Sequence, residues 1–311
     1  MYDRIAGNVR KSWLLIIAFF ALTGAVGYFF GYFTGTGLWG LWIAVAFSVF
    51  MSWGSWFASD KVALSMSRAR PADEKLFAQL HNVVESLSIA AGIPKPRVYV
   101  VEDIAPNAFA TGRNPEHAAI AVTTGLILKM KRDELEGVIA HELAHVKNRD
   151  TLVMTLAVTL VGVIVLLADW LLRGLMWGAD EAEGKAFAPL AILGVILLIT
   201  APLIAQLLQF AISRRREFLA DADAVFLTRY PDGLINALGK LREDVTVVHS
   251  ASRATAHLWI EQPNARQAHE GGTKTRKSGA WLNRMFDTHP PLEERIAALR
   301  SITPQPAATT S

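Results

Sequence analysis

His141-Glu142-Leu143-Ala144-His145-Val146-Lys147-Asn148-Arg149-Asp150 decides how this chain is read, because it leads without pause into an apolar run that begins Thr151-Leu152-Val153-Met154. On an α-helix, residues four apart differ by about 40° and lie about 6 Å apart along the axis, so His141 and His145 share one face. Two imidazoles placed in this way reach one metal ion. Glu142 borders the same face and can hold a water there. Zinc lowers the pKa of such a water, and the carboxylate takes its proton as it attacks a carbonyl. The competing interpretation is two surface histidines on an ordinary helix. Against it stand an acidic helix start (Asp133, Glu134, Glu136), the apolar Leu135, Val138 and Ile139, and β-like segments upstream. The spacing in this context points to zinc hydrolase chemistry.

A catalytic zinc takes a third protein ligand and keeps one position open. The chain has no cysteine, which excludes cysteine-ligated zinc, iron–sulfur clusters, thiol nucleophiles and a disulfide scaffold. A third histidine ten positions after His141 would make the metzincin arrangement, but position 151 is Thr. What remains is a distal carboxylate on a second helix. Glu217 fits, in Arg214-Arg215-Arg216-Glu217-Phe218-Leu219-Ala220-Asp221. Alone, it would read as a surface carboxylate paired with the nearby arginines; beside the histidine pair, the ligand role is favoured. Asp221 follows four residues later on the same face. It is placed to accept a hydrogen bond from a ligand imidazole, which orients the ring and raises its basicity.

The flanks of the motif are apolar on the scale of a membrane. With 52% hydrophobic and 19% charged residues, the chain is too apolar for a soluble enzyme and cannot be disordered. Four stretches, about 13–33, 38–58, 151–172 and 187–212, each come close to the ~20 residues that cross a bilayer as a helix. A cleaved signal peptide does not explain the first, which is too long and is followed by a second after Thr34-Gly35-Thr36-Gly37. Trp13, Trp39, Trp56, Trp170 and Trp177 lie at or near span ends, where an interfacial belt places them. Arg4, Arg10, Lys11, the basic segment from Lys61 and Arg214–Arg216 put both termini and both polar segments in the cytoplasm by the positive-inside rule. The excess of 31 basic over 28 acidic residues is too small to argue for nucleic acid as a partner.

These boundaries divide the chain into a transmembrane hairpin (1–58), a polar segment with the zinc helix (59–150), a second hairpin (151–212), a polar segment with the third ligand (213–302) and a disordered tail (303–311). The two ligand helices are separated by two spans, so both emerge on one side of the membrane. If the first helix is continuous, His145 lies ~9 Å along the axis from Thr151, which puts the zinc near the cytoplasmic membrane surface. Within the polar part, Pro71–Ser88 reads as an amphipathic helix with Leu76, Leu80, Val83, Val84 and Leu87 on one side. Arg97–Val101, Asn107–Thr111 and Ala118–Thr123 read as strands, the last two joined by a turn at Gly112, Asn114 and Pro115. Helices are expected from Arg132, over Ser213–Thr228 and Gly233–Arg242, and after Pro290-Pro291, with Leu292, Ile296 and Leu299 on one face. Residues 261–280 read as a mobile loop.

The chain resembles the HtpX family of membrane zinc peptidases, relatives of the CAAX prenyl proteases. His141–His145 with Val146–Asp150 and Arg216–Asp221 carry the resemblance. Asn107–Gly112, Ala121–Leu126, Thr288-His289-Pro290-Pro291 and the four-span layout extend it over nearly the whole chain. The resemblance implies a mostly α membrane protein: four transmembrane helices plus a cytoplasmic α+β, gluzincin-like zinc peptidase domain. It implies one zinc held by His141, His145 and Glu217, with Glu142 as base. It also implies degradation of damaged or misfolded membrane proteins at a bacterial inner membrane, with those proteins and the lipid bilayer as partners.

Other roles stand on less. Asn107, Ala108, Phe109 and Ala110 resemble the edge strand on which related zinc peptidases lay their substrates, binding by β-augmentation; a plain structural strand is the even alternative. His289 can donate to the oxyanion of the tetrahedral intermediate, or can simply mark a helix start. Asp150 either supports a ligand or marks where the helix meets the membrane, and Arg214–Arg216 read as membrane anchors. An intramembrane zinc protease also uses two histidines four apart. Yet Lys129, Lys131, Arg132, Asp133 and Glu134 before the motif, and Lys147, Arg149 and Asp150 after it, are costly in hydrocarbon. Tyr230-Pro231-Asp232-Gly233 reads as a turn rather than as that class's second motif. A CAAX-type protease needs a larger chamber than four spans supply, and a non-enzymatic scaffold leaves His141, Glu142, His145 and Glu217 as coincidence.

Overall fold

The computed structural model describes residues 2–154, 214–247, 258–261 and 290–302. In chain order its elements are α1 (Tyr2–Thr34), α2 (Leu38–Met66), β1 (Arg70–Pro71), α3 (Ala78–Ala91), β2 (Arg97–Val101), β3 (Ala108–Thr111), β4 (Ala119–Thr123), α4 (Thr124–Lys129), α5 (Arg132–Lys147), α6 (Arg214–Thr228), α7 (Pro231–Glu243) and α8 (Leu292–Ile302). The chain divides into two compact units, Met1–Ser59 with Leu152–Ala211, and Asp60–Thr151 with Ile212–Ser311.

In the first unit, α1 and α2 are long and apolar enough to cross a membrane, over Ala6–Phe29 and Leu38–Ala58. They match the first two expected spans. Small residues let the two backbones meet: a Cβ on Gly27 would lie 2.6 Å from the Gly40 carbonyl oxygen, and one on Gly31 would lie 2.0 Å from that of Gly37. Thr23 and Ser48 hydrogen-bond across the pair through their hydroxyls. Trp39, Trp42, Phe50 and Trp53 face outward, as side chains meeting lipid would. The third and fourth expected spans, beyond residue 154, lie outside the described residues. So do the loop over 262–280, the tail from 303, and His249, His257, His269 and His289.

The second unit is built around α5. Its start follows from Glu134, whose carboxylate accepts from the Lys131 backbone N–H (2.7 Å) and from Lys240 Nζ (2.5 Å). From Leu135 to Val146, every residue but Glu136 is buried, because α3, α6, α7 and β3 pack around the helix. The sheet runs β1-β2-β4-β3. β3 and β4 form the expected antiparallel pair, with Ala108 opposite Val122 and Thr111 opposite Ala119. β2 lies parallel to β4 on the other side, Val98 beside Ile120, so β3 is an edge. Alternation puts Ala108, Ala110, Ile120, Val122, Val98 and Val100 into the core that also holds Leu135, Val138, Ile139 and Leu143.

The expected helix over Pro71–Ser88 is corrected. Pro71 belongs to β1, an edge strand where its missing N–H costs no ladder bond. The Asp73 carboxylate then accepts from the Lys75 and Leu76 N–H groups (2.9 and 2.8 Å), a local turn that delays the helix to Ala78. Leu80, Val83, Val84 and Leu87 are buried as expected, but Leu76 is exposed. At the other end, α3 stops at Gly92, whose φ of 69° is the left-handed cap. Pro231 and Asp232 belong to α7, the proline at its first turn, rather than to a preceding turn.

α5 and α7 cross at glycine against backbone. A Cβ on Gly137 would stand 2.7 Å from Leu234 N and 2.8 Å from its Cα. Gly137→Ala is therefore expected to destabilise the protein by about 1–3 kcal/mol through overpacking. Gly239→Ala, in α7 with nothing within 4 Å, is expected to stabilise it by about 0.5–1 kcal/mol. Thermal unfolding of the two variants beside the parent checks both signs; equal shifts would refute the close crossing.

Candidate metal centre

His141 and His145 sit on the buried face of α5, 1% and 5% exposed, and Glu217 comes from the first turn of α6, fully buried. Their rings are nearly perpendicular, 87° apart, with centroids 4.7 Å apart. The two Nε2 atoms are 3.2 Å from each other. Glu217 Oε2 lies 3.6 Å from His141 Nε2, and Glu217 Oε1 lies 3.5 Å from His145 Nε2. A tetrahedral ion with bonds of about 2.0–2.1 Å separates its donors by about 3.3–3.4 Å, so the Nε2–Nε2 spacing and the approach of each nitrogen to a carboxylate oxygen are close to the edges of a zinc coordination sphere. Among the described residues, these three form a group of possible metal ligands within 4.8 Å of one another.

Each imidazole is backed by a carboxylate. Asp221 Oδ1 lies 2.9 Å from His141 Nδ1, the contact expected from its position one turn after Glu217. Asp150 Oδ2 lies 3.1 Å from His145 Nδ1. A continuous helix would carry Asp150 far around the axis from His145, about 140° over five residues. The chain solves this by breaking: α5 ends at Lys147, Asn148 caps it, and Arg149 turns left-handed at φ 56° before the helix resumes at 150. The expectation of one continuous helix from His145 into the third span is thereby corrected. Asn148 Nδ2 donates to Asp223 (2.9 Å), which ties the break to α6.

Behind the carboxylates stand two arginines, Arg295, which the sequence alone did not single out, and Arg216, in a role other than the one expected. Arg295 of α8, fully buried, donates to Asp221 through Nε (2.9 Å) and Nη2 (2.6 Å); Nη2 also lies 3.2 Å from His141 Nδ1. Its sequence signal was available: Arg295 is three residues after Leu292 and four before Leu299, so it occupies the apolar stripe of its helix. Arg216 is buried too and donates from Nη1 to Asp150 Oδ1 (3.2 Å), which corrects its expected role as a membrane anchor. Arg215 stays exposed.

The electrostatics follow. Four buried carboxylates, Glu142, Asp150, Glu217 and Asp221, face two buried guanidiniums. Two negative charges are left in excess, the charge a divalent cation balances. Burial alone would raise Asp221, but Arg295 and His141 hold it down to about 2. Burial and Arg295 both push His141 down, yet its hydrogen bonds to Asp221 and Glu217 carry it up to about 9. Arg295 is depressed by burial and more than restored by Asp221, Glu217 and Glu142.

The edge strand is partly occupied by the chain itself. Ala108 points its backbone away from β4, and its carbonyl accepts from Ile260 N–H (2.9 Å). Asn107 bonds the backbone of Glu261 through both side-chain atoms (2.8 and 3.3 Å). Phe109, on the other face of the sheet, packs edge-on against Trp259 at 4.7 Å. Ala110, with its side chain in the core, is the next residue of β3 in the same alternation as Ala108. His81 and His117 take local partners, the Ala72 carbonyl and Asn114, away from the histidine pair.

A family model, Peptidase family M48, matches residues 74–303, which span the sheet, both ligand helices and α8. The chain belongs to peptidase family M48. It is a metallopeptidase, and the resemblance to HtpX proteins is borne out. A "Protease HtpX homolog" of Thermoanaerobacter pseudethanolicus is 43% identical over 308 residues, 97% of this chain and 98% of the relative. One of Streptococcus thermophilus is 42% identical over 312 residues, 97% of this chain and all of the relative. The crystal structure of S. mikatae Ste24p is similar at 19% identity, with a TM-score of 0.47, over 96% of this chain and 67% of that one.

The raised His141 pKa makes metal uptake by this M48 centre pH-dependent. Below the ordinary value near 6.5 the imidazolium is present folded or unfolded, and its paired form stabilises the metal-free fold. That contribution is lost as pH climbs through about 9. A cation needs Nε2 unprotonated, so affinity should move the opposite way. Zinc affinity measured by chelator competition is expected to rise between pH 7 and 9, approaching tenfold per pH unit, while thermal stability of chelated protein falls. Affinity that stays level across that window would contradict the assignment.

Proposed function

We propose that this chain is a membrane-anchored zinc endopeptidase that hydrolyses misfolded or damaged membrane proteins at the cytoplasmic face of a bacterial inner membrane. One observation carries the metal chemistry: His141 Nε2 and His145 Nε2 lie 3.2 Å apart, and the Glu217 carboxylate faces both, Oε2 at 3.6 Å from the first and Oε1 at 3.5 Å from the second. Two long apolar helices support the membrane part, and the relatives, named as protease HtpX homologues, support the protease part. The basic loops at Arg4, Arg10, Lys11 and from Lys61 onward support the cytoplasmic orientation.

His141, His145 and Glu217 would hold one zinc ion, with Asp221 and Asp150 fixing the rings. When bound, the ion supplies Lewis acidity, polarising a peptide carbonyl and making water a better nucleophile. Glu142, next to His141 and 2% exposed, takes a proton from the attacking water as the new C–O bond forms. It gives that proton to the leaving nitrogen as the C–N bond breaks, so the products are a carboxylate and an amine. Arg295 stays charged beside the centre, bonded to Asp221. His289 donates to the developing oxyanion. The peptide lies along β3 from Ala110, beyond Asn107 and Ala108, whose outward groups Glu261 and Ile260 occupy, and backbone hydrogen bonds there give affinity with little demand on sequence.

Replacing the base separates binding from chemistry. Glu142→Gln is expected to keep the zinc and lose activity by about 10²–10⁴-fold, while Glu217→Ala loses the zinc. Metal analysis beside cleavage of an unlipidated, unfolded membrane protein reads both. Cleavage that survives in Glu142→Gln would overturn the base. Cleavage confined to prenylated C-terminal peptides would replace the substrate assignment with that of a CAAX-type protease.

A further inference from the structure

The two histidines are supported in the same way from different parts of the chain. Asp221 holds His141 Nδ1 and is itself gripped by Arg295. Asp150 holds His145 Nδ1 at 3.1 Å through Oδ2, and its Oδ1 receives Arg216 Nη1 at 3.2 Å. All of these side chains are buried. Arg216 precedes Glu217 in the chain, so the group that restrains Asp150 and the third metal donor stand on the same turn of α6.

We propose that Arg216 is a positioning residue for the metal centre, acting on His145 through Asp150. A carboxylate bound to the ring alone can turn about its Cβ–Cγ bond and offer the ring either oxygen or neither. Arg216 takes one oxygen and leaves the other for Nδ1–H. An acceptor fixed on Nδ1 selects the tautomer whose Nε2 lone pair is free to face an ion. Here Nε2 points toward Glu217 Oε1 at 3.5 Å. The guanidinium suits this task better than an ammonium, because its planar fork fixes direction as well as charge. The left-handed Arg149 brings Asp150 within reach of His145, and Arg216 then fixes which carboxylate oxygen meets the ring. The inference rests on His141, His145 and Glu217 being the zinc ligands.

The test follows zinc from the loaded, full-length protein in detergent to an excess of a chromophoric chelator, for Arg216→Gln, Arg216→Lys, Asp150→Asn, the double variant Arg216→Gln/Asp150→Asn, and Glu217→Ala. Arg216→Gln and Asp150→Asn are each expected to speed zinc loss by about 10–100-fold. The double variant should lose zinc no faster than Asp150→Asn, since Arg216 acts through that carboxylate. Arg216→Lys should fall between parent and Arg216→Gln. In cobalt-loaded protein, the visible absorption band should shift in Arg216→Gln. Effects that multiply in the double variant overturn the proposal. So does an Arg216→Gln that holds zinc like the parent while Glu217→Ala does not, and that result leaves the ligands standing. If Glu217→Ala holds zinc as tightly as the parent, the ligand assignment fails and the proposal with it. Should Arg216→Gln not fold, Arg216→Lys with Asp150→Asn supplies the same comparison.

Discussion

Four carboxylates and two guanidiniums sealed from water, with two negative charges left over, are the constraint on which this peptidase unit turns. Buried charge is tolerated when it is paired and bonded. Arg295 pairs with Asp221 and Arg216 with Asp150, and Glu142 and Glu217 remain beside two imidazoles. A dication at the His141–His145–Glu217 triangle closes that balance. The same arrangement explains why His141 holds a proton up to about pH 9 when only side chains act on it. The proton is the protein's own partial answer to the surplus, and a metal ion is the fuller one.

Neutrality would be useless without rigidity, and the fold supplies that through close backbone contact. α5 is surrounded by α3, α6, α7 and β3, and its crossing with α7 has room only for hydrogen at Gly137 and Gly233. Glu134 at the helix start is locked by both Lys131 N–H and Lys240. The two histidines are thus fixed in height and rotation, and their carboxylate partners need only set the rings.

What could be read from the chain alone divides along physical lines. His141 and His145 were legible because their relation is local, set by helical periodicity. Glu217 and Asp221 became legible once that pair demanded a third ligand and a partner. Arg97–Val101 showed its alternation and the strands around Ala108 and Ala119 were bounded by their turn, but the parallel pairing of β2 with β4 depends on contacts distant in sequence. Arg295 escaped because a charge on a helix is normally read as solvated; its place on the apolar stripe with Leu292 and Leu299 argued otherwise. Asp150 stayed ambiguous because nothing in an arginine announces a left-handed backbone at position 149. Pro71 misled because helical spacing downstream masked the turn made by Asp73.

That turn at Asn148 and Arg149 has a mechanical meaning. An unbroken helix is a stiff rod: twist or push one end and every side chain along it follows. Here the bonding tightens from a helical turn, Asn148 N–H onto the Ala144 carbonyl (3.0 Å), to a shorter one, Arg149 N–H onto that of Val146 (3.1 Å), and the left-handed Arg149 then redirects the chain. Beyond it the Asp150 carboxylate meets the His145 ring at 3.1 Å and the Arg216 guanidinium at 3.2 Å. The bend therefore decides where the carboxylate behind His145 stands: straightened, it would carry Asp150 about 140° around the axis and leave the ring unbacked.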